Sequence, residues 1–334
     1  MQSDSFGHLP PLAQSVLDLI GQTPIIELHR LVEQLHLQGR ILVKCEMNNP
    51  GLSKKDRIAL WMIREAARSG ELQPGQTVVE MTSGNTGTGL ALVCAALGHP
   101  FIAVMSRGNT PERAAQMRAL GAEVVLVDQA EGAVAGQVTG DDLKLVEVAV
   151  DKITAERKAW RAGQFGNKAN ILAHELTTGP EIWRQSGGEI DVFLDCPGTS
   201  GTFTGIARYL KQQKSELKCV LVEPENAAVL QVQNHPYEPQ SHKIQGAGYS
   251  RADDQLPLFD RSLVDDFISV SDEKAIEFAR LLARTEGIMG GYSTGAHLAA
   301  AVELLKTRYQ GKTIVFLACD SGLKYLSTDL YAMD

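Results

Sequence analysis

Short runs of β-branched and aliphatic residues alternate with longer helix-patterned segments along almost the whole chain, and no other feature limits its fold so tightly. "RILVKCE" precedes "KDRIALWMIREAARSG", "TVVEM" precedes "NTGTGLALVCAALG", and "FIAVMS" precedes "TPERAAQMRALG", which leads into "AEVVLVD". Later, "DVFLD" precedes "TFTGIARYLKQQK" and "CVLVEP" follows, while "SDEKAIEFARLLARTEG" and "TGAHLAAAVELLKTRY" lead to "TIVFLA". Strands apolar at nearly every position are buried on both faces, which requires crossover helices on either side of a sheet. The alternation therefore predicts parallel, doubly wound α/β sheets. With 334 residues the chain suits two lobes of ordinary size. Helix starts carry local signals: Asp56 opens one, and Ser271 with Asp272 and Glu273 opens another. The stretch "DQAEGAVAGQVTGDDLKLVEVA" is Gly-rich and then acidic, so it reads as a surface excursion before a helix, with its charges on a solvated face.

Composition removes several classes of function. A formal net charge of -8 and the lack of any basic stripe argue against a nucleic-acid partner. No apolar run reaches membrane-spanning length, and "MQSDSFGHLPPLAQ" lacks the basic and apolar regions of a secretory signal. The five cysteines, Cys45, Cys94, Cys196, Cys219 and Cys319, are scattered and form no CxxC pair, so they read as small buried hydrophobes. The expectation is a reduced cytoplasmic protein with neither membrane nor metal.

Chemistry is sought in the loops, because open α/β sheets bind ligands beyond the carboxyl ends of their strands, where helix N-termini offer free N–H groups. In "TSGNTG", Gly84 and Gly87 let the backbone approach a ligand, and Thr82, Ser83, Asn85 and Thr86 supply more donors than a helix cap needs. That loop reads as a carboxylate site. "GTSGT", Gly198 to Thr202, has the small residues and hydroxyls of a phosphate cup, without a Walker lysine or the GxGxxG fingerprint. In "GGYSTGAH", Ser293 suits either a helix cap or a neutral ring nitrogen, and His297 reads as structural. Ser321 in "CDSGLKYLST" reads as a cap. "NPGLSKKDRIAL" sets Lys54 and Lys55 side by side at the start of a helix, one of them a candidate for chemistry. Phosphate cup, carboxylate loop, buried lysine and ring-nitrogen partner together match pyridoxal phosphate acting on an amino acid.

These residues resemble the cysteine synthase and cystathionine β-synthase family, closest in motifs to O-acetylserine sulfhydrylase. The likeness runs from "LIGQTPIIEL" to "KYLSTDLY". Family motifs "IGNTP", "NPxxSxKDR", "TSGNTG", "TTGPEIW", "GTGGT", "HKIQG", a "GxSSGA"-like loop and "YLST" have counterparts here in order. The resemblance implies an α/β, fold type II, tryptophan synthase β-like enzyme with two doubly wound lobes: residues 49–163 form the smaller mobile lobe, and residues 1–48 with 164–334 form the larger one. It implies a homodimer with pyridoxal 5'-phosphate as cofactor and small amino-acid substrates. Lys55 becomes the Schiff-base lysine and general base. Asn85 contacts the cofactor's ring hydroxyl; Thr82, Ser83 and Thr86 grip the substrate carboxylate with Gln164. Gly198, Thr199, Ser200, Gly201 and Thr202 cradle the phosphate, and Ser293 bonds the ring nitrogen. The implied reaction is β-replacement on an O-activated L-serine, or on L-cysteine, through an aminoacrylate.

Departures from the family pattern leave the reactants open. Lys54 occupies a usually apolar position and is expected to face solvent. Ser200 replaces a usual Gly, and it either adds a bond to the cofactor phosphate or adds a donor for a more charged substrate. "GAGYSR" puts Tyr249, Ser250 and Arg251 at the expected entrance, and the segment from Gly121 to Phe165 is longer than usual. O-phosphoserine with an amino-acid nucleophile, a cystathionine- or lanthionine-type synthase, a serine or threonine dehydratase, and an inactive regulatory homologue stand as alternatives.

Overall fold

The computed structural model describes residues 12–132, 138, 140–231, 241–248 and 256–332. Two sheets organise them. The larger has six strands in the order β1 (Ile25–Glu27), β2 (Arg40–Lys44), β10 (Thr313–Leu317), β7 (Val192–Asp195), β8 (Lys218–Pro224), β9 (Asp266–Val270). All neighbours in it are parallel except the edge pair β1 and β2. The smaller sheet is wholly parallel, in the order β5 (Glu123–Val127), β4 (Phe101–Ser106), β3 (Val78–Met81), β6 (Trp160–Arg161).

The strands lie where apolar runs demanded burial on both faces. Every residue of β4, β7 and β10 is buried. The helices are α1 (His29–Gln34), α2 (Lys55–Ser69), α3 (Asn85–Leu97), α4 (Pro111–Ala119), α5 (Gly140–Arg157), α6 (Ala169–Ala173), α7 (Gly179–Gln185), α8 (Gly201–Gln213), α9 (Asp272–Glu286) and α10 (Tyr292–Lys306). One apolar core lies between the large sheet and α9 and α10, and another joins the opposite face of that sheet to α7 and α8. In the small sheet α2 and α3 cover one face and α5 the other. Ser271 caps α9 as expected, its hydroxyl accepting from the Lys274 N–H. The described residues between Gly121 and Phe165 include β5, α5 and β6. Asp142 on α5 departs from the solvated face expected for it: it is fully buried and accepts the Ala130 N–H at 2.7 Å.

Parallel pairing runs the strands of each sheet the same way apart from β1, and residues at or beyond the carboxyl ends of β3, β4, β7 and β10 line one cleft. The loops after β3, β7 and β10 therefore meet the start of α2.

α9 approaches α10 closely at Gly295, where an added Cβ would collide with the Ala275 carbonyl and the Ala279 side chain. Gly295→Ala is expected to cost about 1–3 kcal/mol through overpacking, read as a lower urea midpoint with unchanged slope; an unshifted midpoint would show that the crossing can relax.

Candidate functional site

The approach to α2 is held rigid before Lys55 is reached. Asn49 accepts the Gly21 N–H at 2.8 Å and donates to the Glu46 carbonyl at 2.8 Å. The Asp56 carboxylate folds back on the Gly51 N–H, and any Cβ at Gly51 would strike it. Asp56, in the first turn of α2, thus ties down the Asn-Pro turn instead of capping the helix; burial lifts its carboxyl to about 7. One residue further on, Arg57 is 2% exposed and clamped between Glu46 and Glu181, with four bonds of 2.7–2.8 Å. Glu46 follows β2 and Glu181 lies on α7, so the first turn of α2 is bolted to the large sheet's side of the molecule.

Between these anchors the adjacent lysines point into different surroundings. Lys55 lines the cleft and is half-buried. Lys54 does not face solvent as expected: it is 8% exposed, and its Nζ meets Asp195 Oδ1, at the end of β7, at 2.9 Å. No local signal foretold this, since the partner stands 141 residues away. Burial opposes a charge on Lys54, but the Asp195 carboxylate and neighbouring thiols outweigh it and hold the amine protonated. Burial, and then this fixed cation next door, pull the Lys55 amine down to about 8.

Behind Asp195 lies His297, buried and structural as read. Its Nε2 accepts the Cys196 N–H at 2.7 Å, and its Nδ1 meets the Leu317 carbonyl at 2.9 Å. Asp195, His297 and Cys319 lie within 4.8 Å of one another, but both ring nitrogens and the carboxylate are already committed to protein partners.

The β3–α3 loop brings Thr82, Ser83, Asn85 and Thr86 to the same cleft, facing Lys55. Gln164 joins them from after β6, and its Oε1 accepts the Thr86 hydroxyl at 2.7 Å. Gly87 is required by close approach, since a Cβ there would meet the Met117 sulfur. Asn85 bonds Asp320 at 2.6 Å and accepts from Lys324 at 2.7 Å.

After β7, Gly198 and Thr199 reach the cleft surface, while Ser200, Gly201 and Thr202 lie buried at the start of α8. Ser200 adopts φ of 67°, a left-handed conformation costly for a residue with a Cβ. Its hydroxyl is fully enclosed and has no hydrogen-bond partner. Thr199 accepts from Asn170 at 2.9 Å, and Thr202 meets His174 Nε2 at 3.2 Å. Burial and then the cations of Lys54, Arg57 and Lys55 hold His174 well below its ordinary range, so it serves as a neutral brace. Ser293 is buried inside the first turn of α10, whose cap is Gly291, so it is no cap. Ser321 caps a short 3-10 turn as expected. Tyr249, Ser250 and Arg251 lie outside the described residues.

Glu46, Asn170, His174, Glu181 and Asp195 had not been singled out, because each acts through a partner distant in the chain. Only Arg57 and Glu181 carried a signal, as members of the "KDR" and "TTGPEIW" motifs.

With this geometry in place, comparison with known proteins is specific. Residues 16–320 match the family model described as pyridoxal-phosphate dependent enzyme. A cysteine synthase of Staphylococcus aureus is 39% identical over 321 residues, covering 96% of this chain and 97% of that protein. The crystal structure of an O-ureido-L-serine synthase superposes with TM-score 0.85 at 37% identity, covering 96% of each chain. The cysteine synthase of Entamoeba histolytica superposes with TM-score 0.87 at 36% identity, covering 98% of this chain and 94% of that one. The chain belongs to the pyridoxal-phosphate-dependent enzymes of fold type II, in the cysteine synthase family. It depends on pyridoxal phosphate, and the residues present fit that group: an enclosed orphan hydroxyl at the N-terminus of a 13-residue helix is a donor set for a phosphate dianion.

Lys54→Met leaves Asp195 buried without its cation and is expected to cost about 3–5 kcal/mol, largely restored by adding Asp195→Leu. A neutral Lys55 is needed to capture the cofactor's aldehyde. Recombination of cofactor-free protein with pyridoxal phosphate should therefore quicken as pH rises through about 8. Lys54→Met should move that inflection upward, because it removes a like charge. An inflection unmoved by the substitution would separate the two lysines electrostatically.

Proposed function

We propose that this protein carries out β-replacement on an O-activated L-serine, or on L-cysteine, in the manner of a cysteine synthase. One observation carries the reading: an amine lowered to about 8 shares a cleft with a loop built to hold a carboxylate. Thr82, Ser83 and Thr86, braced by Gln164, would hold the donor's α-carboxylate. That grip would present the donor's Cα–H to Lys55. Lys55 would take this proton, and later return it to the same carbon of the product, as general base and then acid. When bound, pyridoxal phosphate supplies the electron sink that makes the proton removable. Asn85 would meet its ring hydroxyl, Ser293 its ring nitrogen, and Gly198, Thr199, Ser200, Gly201 and Thr202 its phosphate. Ser200 Oγ, left without a partner beside the N-terminus of α8, supports the reading of an added bond to that phosphate.

The lobe of residues 49–163 would close over the donor and keep water from the reacting carbon. Two copies would pair as a homodimer in the cytoplasm; no helix among the described residues is long and apolar enough to cross a membrane. O-phosphoserine joined to an amino-acid nucleophile is the second reading, favoured by a guanidinium in the cleft, that of Arg113, without a carboxylate partner among the described residues.

The test is to titrate the cofactor-loaded protein with O-acetylserine, O-phosphoserine, cysteine and serine in turn, following absorbance and the released group. One donor should perturb the spectrum and react onward only when a nucleophile is added, and Lys55→Ala should slow turnover by about 10²–10⁴-fold. Keto-acid release without a nucleophile would indicate a dehydratase. Protein that stays colourless with added cofactor would favour the regulatory homologue. Ser200→Gly should stabilise the cofactor-free protein by about 1 kcal/mol by removing left-handed strain, yet hold pyridoxal phosphate several-fold more weakly in equilibrium dialysis. Unchanged retention would exclude Ser200 from the phosphate site.

A further inference from the structure

The Asn85 side chain, at the start of α3, is held from both ends by the segment that follows β10. Its Nδ2 donates to Asp320 Oδ2 at 2.6 Å, and its Oδ1 accepts from Lys324 Nζ at 2.7 Å. Asp320 is 2% exposed, and the same carboxylate oxygen also receives the Tyr325 hydroxyl at 2.6 Å. Lys324 stands on the 3-10 turn Gly322–Tyr325, which Ser321 caps. These partners decide which way round the amide sits. A carboxylate only accepts and an ammonium only donates, whereas a side-chain amide can be turned end for end. The reversed amide would set its oxygen against the Asp320 carboxylate and its N–H groups against the Lys324 ammonium. Only the orientation observed satisfies both neighbours. Asp320 takes one N–H of Asn85, and no group among the described residues takes the other. Asn85 and Lys324 both line the cleft that Lys55 enters, so the spare N–H is the donor left for a ligand there. The Lys324 ammonium draws electron density toward Oδ1 and makes that N–H a stronger donor.

We propose that Asp320 and Lys324 are positioning residues that lock the Asn85 amide with an N–H, and not its carbonyl, toward the ring hydroxyl of bound pyridoxal phosphate. The proposal rests on the place given to Asn85 at that hydroxyl and deepens it. An N–H partner favours the ring oxygen as an anion, its proton passing to the nitrogen that joins the cofactor to Lys55. A carbonyl partner would favour the proton on oxygen. No proton is gained or lost; it moves between two atoms of the bound cofactor. With the proton on nitrogen the adjoining carbon is electron-poor, which readies it for attack by the amine of an incoming amino acid. The loop after β10 thus sets the state in which the cofactor waits for its substrate.

The two proton placements absorb in different bands, visible for the proton on nitrogen and near-ultraviolet for the proton on oxygen. The test records substrate-free spectra of cofactor-loaded wild type, Asn85→Ala, Asp320→Asn, Lys324→Met and Lys324→Arg. The visible-to-near-ultraviolet ratio is compared per bound cofactor, so a variant that merely loads less leaves it unmoved. Lys324→Met should lower the ratio about tenfold, the worth of one charge-assisted hydrogen bond. Lys324→Arg, which also only donates, should keep most of it. Asp320→Asn should lower it less than Lys324→Met, because an amide at 320 can still offer an acceptor. A ratio that falls in Asn85→Ala but holds in Lys324→Met and Asp320→Asn would overturn the proposal and leave Asn85 in its place. A ratio that Asn85→Ala does not move would remove Asn85 from the ring hydroxyl, and the proposal with it. An equal fall in Lys324→Arg and Lys324→Met would also overturn it, since donation would then not be what Lys324 supplies.

Discussion

A guanidinium locked between two carboxylates is the contact on which the site's geometry depends. Arg57 joins Glu46, just beyond β2, to Glu181 on α7, and Lys44 also grips Glu181 at 2.7 Å. Such a buried network adds little net stability over an apolar core, but removing one member strands a charge. Its value is positional. It fixes the rotation of α2 about its own axis, and that rotation decides which of two neighbouring lysines enters the cleft.

From that fixed rotation the two lysines divide their tasks by environment, although their chemistry is the same. Lys54 is turned into a buried ion pair and stays charged. Lys55 faces the cleft, poorly solvated and beside a permanent cation, so its amine gives up a proton near pH 8. Two titratable groups whose surroundings push their proton affinities apart are a common basis for assigning acid and base roles. Here Lys55 is the amine suited to lose its proton near neutrality, and Lys54 contributes through its charge. The β3–α3 loop and the start of α8 stand around that amine, where the proposed reading puts an amino acid and a phosphate.

Much of this was legible in the sequence because it rests on local pattern. Strands buried on both faces announce themselves by unbroken apolar runs, and the glycine-hydroxyl loops singled out in the sequence do meet at one cleft. What lacked such a pattern went unread. β1 is a three-residue edge strand, β6 has only two residues, and β9 is buried at alternate positions, so none made a continuous apolar run. Lys54 looked like a surface lysine because its partner, Asp195, ends a distant strand. Asp142 sat in an acidic stretch whose other charges are solvated. Arg113 belonged to an ordinary helical pattern, and only the meeting of loops from both sheets shows that it faces the cleft.

The claim on which all else rests is that Lys55, and not its neighbour, carries the cofactor. Reduction of the loaded protein with borohydride fixes the cofactor to whichever lysine holds it, and peptide mapping by mass spectrometry can separate adjacent residues by fragmentation. The expected result is a single adduct on Lys55, with Lys54 unmodified. An adduct on Lys54, or on any lysine outside the cleft, would contradict the account, because the rotation of α2 imposed by Arg57 would then not be what selects the reactive amine.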